Sequence, residues 1–180
     1  MDIYDYLTEM QANLFQMSYV EINNRYYNIC KELAGVSQAN AINNINMDNY
    51  VRELRSGIIK SLALGERSRS KAVYFEYDLD NDWSSNFYIC DDYNTLELEE
   101  DEWACDWTKT IEGPELEEFG VLYLKNGFDT TKSALGSTLY LVARTVVSFK
   151  KACGGIESFV PICIAFHDQD PIMRIKRESM

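Results

Sequence analysis

The apolar residues of this chain keep a helical spacing at both ends and a strand-like spacing in the middle. That change of period restricts the fold more than any other feature. Ile3, Leu7, Met10, Leu14 and Met17 recur every three or four residues, and Ile22, Tyr26, Ile29 and Leu33 resume the pattern in a shifted phase. The spacing predicts helix over 2–34, bent or broken near Ser18 to Glu21 and stopped at Gly35. The Asn-rich stretch Gln38 to Asn46 predicts a loop. A second helix is expected from Asp48, a suitable N-cap, through Val51, Leu54, Ile58 and Leu62 to Gly65. Late in the chain, Leu135, Leu139, Val142, Val146, Phe149 and Cys153 hold a 4-3-4-3-4 spacing. Asp129 or Thr130 would cap this long helix, and Lys150, Lys151 and Gly154-Gly155 would close it.

Between these helices lie two β-forming runs, Lys71 to Tyr77 and Trp83 to Cys90, joined by Asp78-Leu79-Asp80-Asn81-Asp82. This is the pattern of a β-hairpin. Residues 91–113 are acidic, contain Trp103 and Trp107, and show no period. Pro114 reads as the first residue of a short helix, Glu115 to Leu124, ended by Gly127. Phe159 to Phe166 is continuously apolar, as suits a strand covered on both faces. The expected architecture is α+β: a small, mainly antiparallel sheet, made of the hairpin plus a C-terminal central strand, covered by helices. Residues 1–180 read as one such domain, with 1–47 able to form a helical N-terminal extension.

Charge is distributed unevenly. The 180 residues carry 29 Asp and Glu against 17 Lys and Arg, a net charge of −12. Between Glu76 and Glu118 there are 16 acids and one base, Lys109, so this window carries −15 and the rest of the chain +3. Such a field disfavours nucleic acid and anionic membranes and attracts basic proteins. The opening MDIYDYLTEM has acids where a signal peptide carries bases, and the longest apolar run is too short to cross a bilayer. A cytoplasmic location is expected, with Cys30, Cys90, Cys105, Cys153 and Cys163 as reduced thiols. The lone histidine excludes a His-rich metal centre. No cofactor or metal is expected, and no catalytic residue is assigned.

Asp78-x-Asp80-x-Asp82 opens like a calcium loop, but Trp83 stands where the loop needs Gly and Ile89 where it needs Glu. A hairpin turn is the better reading. Cys163 and His167 share a strand face, yet four residues of strand separate them by about 13 Å, too far to exchange a proton. Asp168-Gln169-Asp170 beside His167 leaves room for a metal or general-base site at a strand end. Trp103 and Trp107 would share one face if Asp101 to Lys109 is helical. They would then either pack beneath the acidic cover or anchor a partner. The candidate partner-binding residues are Glu97, Glu99, Glu100, Asp101, Glu102, Trp103, Asp106 and Trp107.

One sequence order carries a resemblance. A helix leads into Ala72-Val73-Tyr74-Phe75-Glu76-Tyr77 and a hairpin. Then come Asp101-Glu102-Trp103-Ala104-Cys105 and a late strand, Ile162-Cys163-Ile164-Ala165-Phe166-His167-Asp168-Gln169-Asp170. Over roughly residues 48 to 175 this resembles small uncharacterised bacterial cytoplasmic domains found among the immunity proteins of polymorphic toxin systems. The resemblance implies a stoichiometric binder that neutralises a toxin, and the acidic window suits a basic, nuclease-type one. Two other readings stay open: a hydrolase or metal-dependent enzyme using Asp168, Asp170 and His167, and a structural or regulatory module docking through its first helix.

Overall fold

In the computed structural model, which describes residues 2–176, the first predicted helix is two: α1 (Ile3–Gln16) and α2 (Tyr19–Ala34). Ser18 divides them. Its Oγ accepts the Glu21 N–H at 3.3 Å, while Glu21 Oε2 accepts the Ser18 N–H at 2.8 Å. This reciprocal cap starts a new helix and accounts for the phase shift. Gly35, at φ 91°, ends α2, and α3 (Val36–Asn43) follows at once, where the Asn content predicts a loop. Ala39 and Ile42, three residues apart, are both fully buried, and their packing outweighs the weak helix propensity of Asn. α4 (Asp48–Ser68) begins at Asp48 itself instead of being capped by it, and Asn46 Oδ1 accepts the Asp48 N–H at 2.7 Å. It runs three residues past Gly65.

β1 (Ala72–Tyr77) and β2 (Ser85–Cys90) form the expected antiparallel hairpin, with Phe75 opposite Phe87. The acidic stretch without a period contributes β3 (Trp107–Glu112), antiparallel to β2. The last strands are β4 (Ile162–Phe166) and β5 (Met173–Arg174), the latter where the sequence shows no strand pattern. The sheet order is β3-β2-β1-β4-β5, and β1–β4 is its one parallel pairing. The fold is therefore α+β with a mainly antiparallel sheet. β4 is buried at every residue and lies between β1 and β5, interior but one place off centre. Phe159 stays outside the strand, 54% exposed.

α5 (Glu117–Asn126) starts later than Pro114 suggests, because the Pro114 carbonyl is held by the Ser85 hydroxyl at 2.6 Å. Thr131 Oγ1, one residue beyond the expected cap, accepts the Ala134 N–H at 3.0 Å and opens α6 (Lys132–Ala152). Leu139, Val142, Val146, Phe149 and Cys153 are buried as their spacing predicts, and Leu135 is half-buried. α6 is the spine of the helical layer. Phe149 stacks on Phe75 at 4.9 Å, and Thr145 Oγ1 accepts from Trp83 Nε1 at 2.9 Å, which ties the hairpin turn to the helix. Ile3, Leu7, Ile22, Tyr26 and Ala39 join the same buried cluster, so α1–α3 share the core with the sheet. No helix of the described residues is long and apolar enough to cross a membrane.

At Gly136 the backbones of α2 and α6 nearly touch, and a Cβ there would lie 2.7 Å from Leu33 Cβ. Gly136→Ala should therefore destabilise by about 1–3 kcal/mol through overpacking, although alanine is the better helix former. Leu139→Ala should cost about 2–4 kcal/mol through the cavity it leaves. Urea unfolding measures both, and a loss below about 0.5 kcal/mol at Leu139 would contradict its place in the core.

Candidate interaction surface

The helices cover one face of the sheet, and the acidic segment covers the other. Tyr74, Cys163 and Ala165 on that second face form a small cluster with Cys90, Trp103 and Ile172. Residues 91–106 close over it as a loop, pinned at its base where the Asp91 N–H donates to the Asp106 carbonyl at 2.8 Å. Two 3-10 turns, Leu96–Leu98 and Glu102–Cys105, shape the loop. Segment 101–109 is thus a short turn running into β3, not a helix, and Trp103 and Trp107 part company. Trp103 is 3% exposed and sits edge-on to Tyr93 at 5.0 Å and Tyr74 at 6.2 Å. Trp107 is 45% exposed, tilted against Tyr88 at 5.2 Å.

Arg174 holds this cover down. Its side chain is 3% exposed and pairs with Asp101 Oδ1 at 3.0 Å. It also donates to the carbonyls of Asn94, at 2.8 Å, and Ile172, and lies 5.2 Å from the Trp103 ring centroid. Asp101 Oδ2 accepts the Ile172 N–H at 2.6 Å, and Asp101 Oδ1 accepts from Trp103 Nε1 at 3.2 Å. Asp101 and Trp103 are therefore structural supports turned toward the sheet. Glu97, Glu99, Glu100, Glu102 and Asp106 remain exposed, together with Leu98 and Trp107. Beneath the cover, burial pushes the Cys90 and Cys163 thiols up to about 12, which keeps both protonated and inert.

β3 borders the same surface. It pairs with β2 alone, and its residues are exposed except for half-buried Ile111. Its outer edge offers unpaired backbone groups next to the acidic rim. Sequence reasoning missed this edge and Arg174. Alternation in Trp107-Thr108-Lys109-Thr110-Ile111-Glu112 was the available signal for the first. Nothing local marks the second.

At the end of β4, His167 Nδ1 lies 3.3 Å from Glu76 Oε1, and Nε2 lies 3.8 Å from Asp168, whose side chain is 90% exposed. Hydrogen bonding to Glu76 raises the His167 pKa. Glu76 also accepts from the Tyr74 hydroxyl at 2.8 Å, and the carboxylate hydrogen-bonded to the His167 ring is thus this β1 residue and not Asp170. Among the described residues no three His, Cys, Asp or Glu side chains are grouped to hold a metal ion. The segment Asp78–Asp82 is a turn, with the Asp80 N–H donating to Asp78 Oδ1 at 2.9 Å.

No protein-family model, curated protein or solved structure matches this chain.

Removing the Asp101 carboxylate strands a buried guanidinium. Asp101→Ala should cost about 2–4 kcal/mol, less than the full penalty of a broken buried pair because two carbonyls still accept from Arg174. Trp103 should become accessible to acrylamide quenching in that variant. A cost under about 0.5 kcal/mol with Trp103 still shielded would show that the loop is held by other contacts.

Proposed function

We propose that this chain is a stoichiometric protein-binding protein that takes a basic partner on its acidic cover, and that it serves as an immunity protein against a nuclease-type toxin. One observation carries the binding half of this reading: the exposed carboxylates stand on a loop whose backbone is fixed from beneath by Asp101, Trp103 and Arg174. A loop already ordered before encounter loses little conformational freedom on binding, so its charge is spent on attraction rather than on ordering. Glu97, Glu99, Glu100, Glu102 and Asp106 supply the field that steers a basic surface inward. Trp107 and Leu98 supply apolar area to be desolvated, and the open edge of β3 can accept an extended segment of the partner. The toxin half rests on the resemblance of residues 48 to 175 to immunity domains.

The test needs the partner, recovered by affinity capture from the source cell, identified and purified. Glu99→Lys, Glu100→Lys and Glu102→Lys combined should slow association by roughly ten-fold or more at low salt. The difference should shrink with ionic strength, since exposed charges are screened over about 8 Å at 0.15 M. Equal association rates at low salt would remove the acidic cover from the binding site. A partner with no toxic activity in cells lacking this protein would end the immunity reading alone.

A further inference from the structure

On the helical side of the sheet, α2, α3 and α6 meet around a cleft of about 180 Å³, with Met47 of the α3–α4 connection at its wall. Its polar lining is Arg144, Lys151, Ser148, Asn23, Asn43 and Tyr19, and no acidic side chain lines it. In a chain with 29 acids, neither Arg144 nor Lys151 forms an ion pair with any described carboxylate. Part of this arrangement is structural. Arg144 donates to the carbonyls of Ile42 and Ile45, the latter at 2.9 Å, and so closes the C-terminal end of α3. Lys151 Nζ lies 5.0 Å from the Tyr19 ring centroid.

The remaining donors have no such explanation. Ser137 and Thr145, on the same helix, return their hydroxyls to the carbonyls four residues back, at 2.8 and 3.0 Å. Ser148 is only 3% exposed, lines the cleft and makes no hydrogen bond to any described residue. The single proton of the Tyr140 hydroxyl goes to Asn43 Oδ1 at 2.7 Å, and the Asn23 amide 3.4 Å away can donate back to that oxygen, so it is the Asn43 NH₂ that makes no hydrogen bond to any described residue. Two Arg144 nitrogens satisfy carbonyls, but a guanidinium has five N–H donors, so several stay free. The cleft is thus positively charged and holds no carboxylate to compensate it. Burial lowers the Arg144 pKa, the expected sign for a cation short of compensating charge.

The geometry points to a binding site for a small oxyanion, a phosphate or a carboxylate group, held by Arg144, Lys151, Ser148 and the Asn43 amide. Donors of this kind bond most strongly to charged oxygens. The volume is below the range of about 300–1,000 Å³ that accommodates drug-sized ligands, so the occupant is ion-sized or a small metabolite bearing one such group. The acidic cover lies across the sheet and does not line the cleft.

Titration calorimetry on the whole protein tests this, with inorganic phosphate and acetate as probes at ionic strength matched by sodium chloride. Calorimetry is chosen because phosphate also stabilises proteins by exclusion from their surface, which a melting temperature alone would not separate. A saturable isotherm for phosphate but not acetate assigns a phosphate-type site, and the reverse assigns a carboxylate-type one. Lys151→Ala, at an exposed position, should weaken binding about ten-fold, the effect of one charge-assisted contact of roughly 1.4 kcal/mol. Asn23→Asp should abolish it, by placing a carboxylate at the site. No saturable heat from either probe, or undiminished binding by Asn23→Asp with the wild-type melting temperature retained, overturns the proposal.

Discussion

The guanidinium of Arg174 has more depending on it than any other single group in this molecule. It sits on a strand of two residues at the edge of the sheet, almost without solvent contact, and ties three chain segments together. Asp101 and the Asn94 carbonyl bring the acidic loop to it, Trp103 and Tyr93 flank it, and Gln11 of α1 bonds both the N–H and the C=O of its backbone. A cation so placed must be surrounded by acceptors, and its two distant ones, Asp101 Oδ1 and the Asn94 carbonyl, come from residues 73 and 80 positions away in the chain. The second face of the sheet is covered because this requirement is met. The shape of the acidic surface follows from a buried positive charge.

How much of this was legible depended on whether the signal was local. The Asp78–Asp82 turn between two β-forming runs specified the hairpin, and the spacing from Leu139 to Cys153 specified the buried face of α6, because both patterns are satisfied by neighbours in sequence. Ser18-Tyr19-Val20-Glu21 held a capping box in plain view, which fixes the break that periodicity could only place approximately. α3 is the opposite case. Its asparagines argue against a helix, and only the burial of Ala39 and Ile42 by α2 and α6 makes one. β3 was missed because its alternation runs through exposed and mostly polar residues, and β5 because two residues, though buried, are too few to show a period.

The same division runs through the surface. The charge window could be counted from the sequence, but folding divides it: eight of its 16 acids lie in residues 91–106, which cover one side of the sheet, and the others sit in β1, the hairpin turn, β3 and at or just before the start of α5. What counting could not provide was direction. Asp101 and Glu102 are adjacent carboxylates, yet one is spent on Arg174 and the other faces solvent. Trp103 and Trp107 look equivalent until the backbone between them changes from a 3-10 turn to a strand. The donor-lined cleft was invisible for a related reason: Asn23, Asn43, Ser148 and Lys151 come from three helices, and no spacing along the chain relates them.

The Gln11 amide has a consequence for how this sheet can meet other proteins. By bonding both backbone groups of Arg174, it occupies the place that the next strand would take beyond β5. Of the two borders of the sheet, one is thereby plugged by a side chain of the same molecule, and the one along β3 stays open. Unlimited stacking of sheets edge to edge requires two free borders on every unit. With one, the process has a terminus built in: a single visiting strand, or a second copy joined border to border, uses up the available pairing. Edge-to-edge pairing of this sheet can join two molecules but cannot go on to a third.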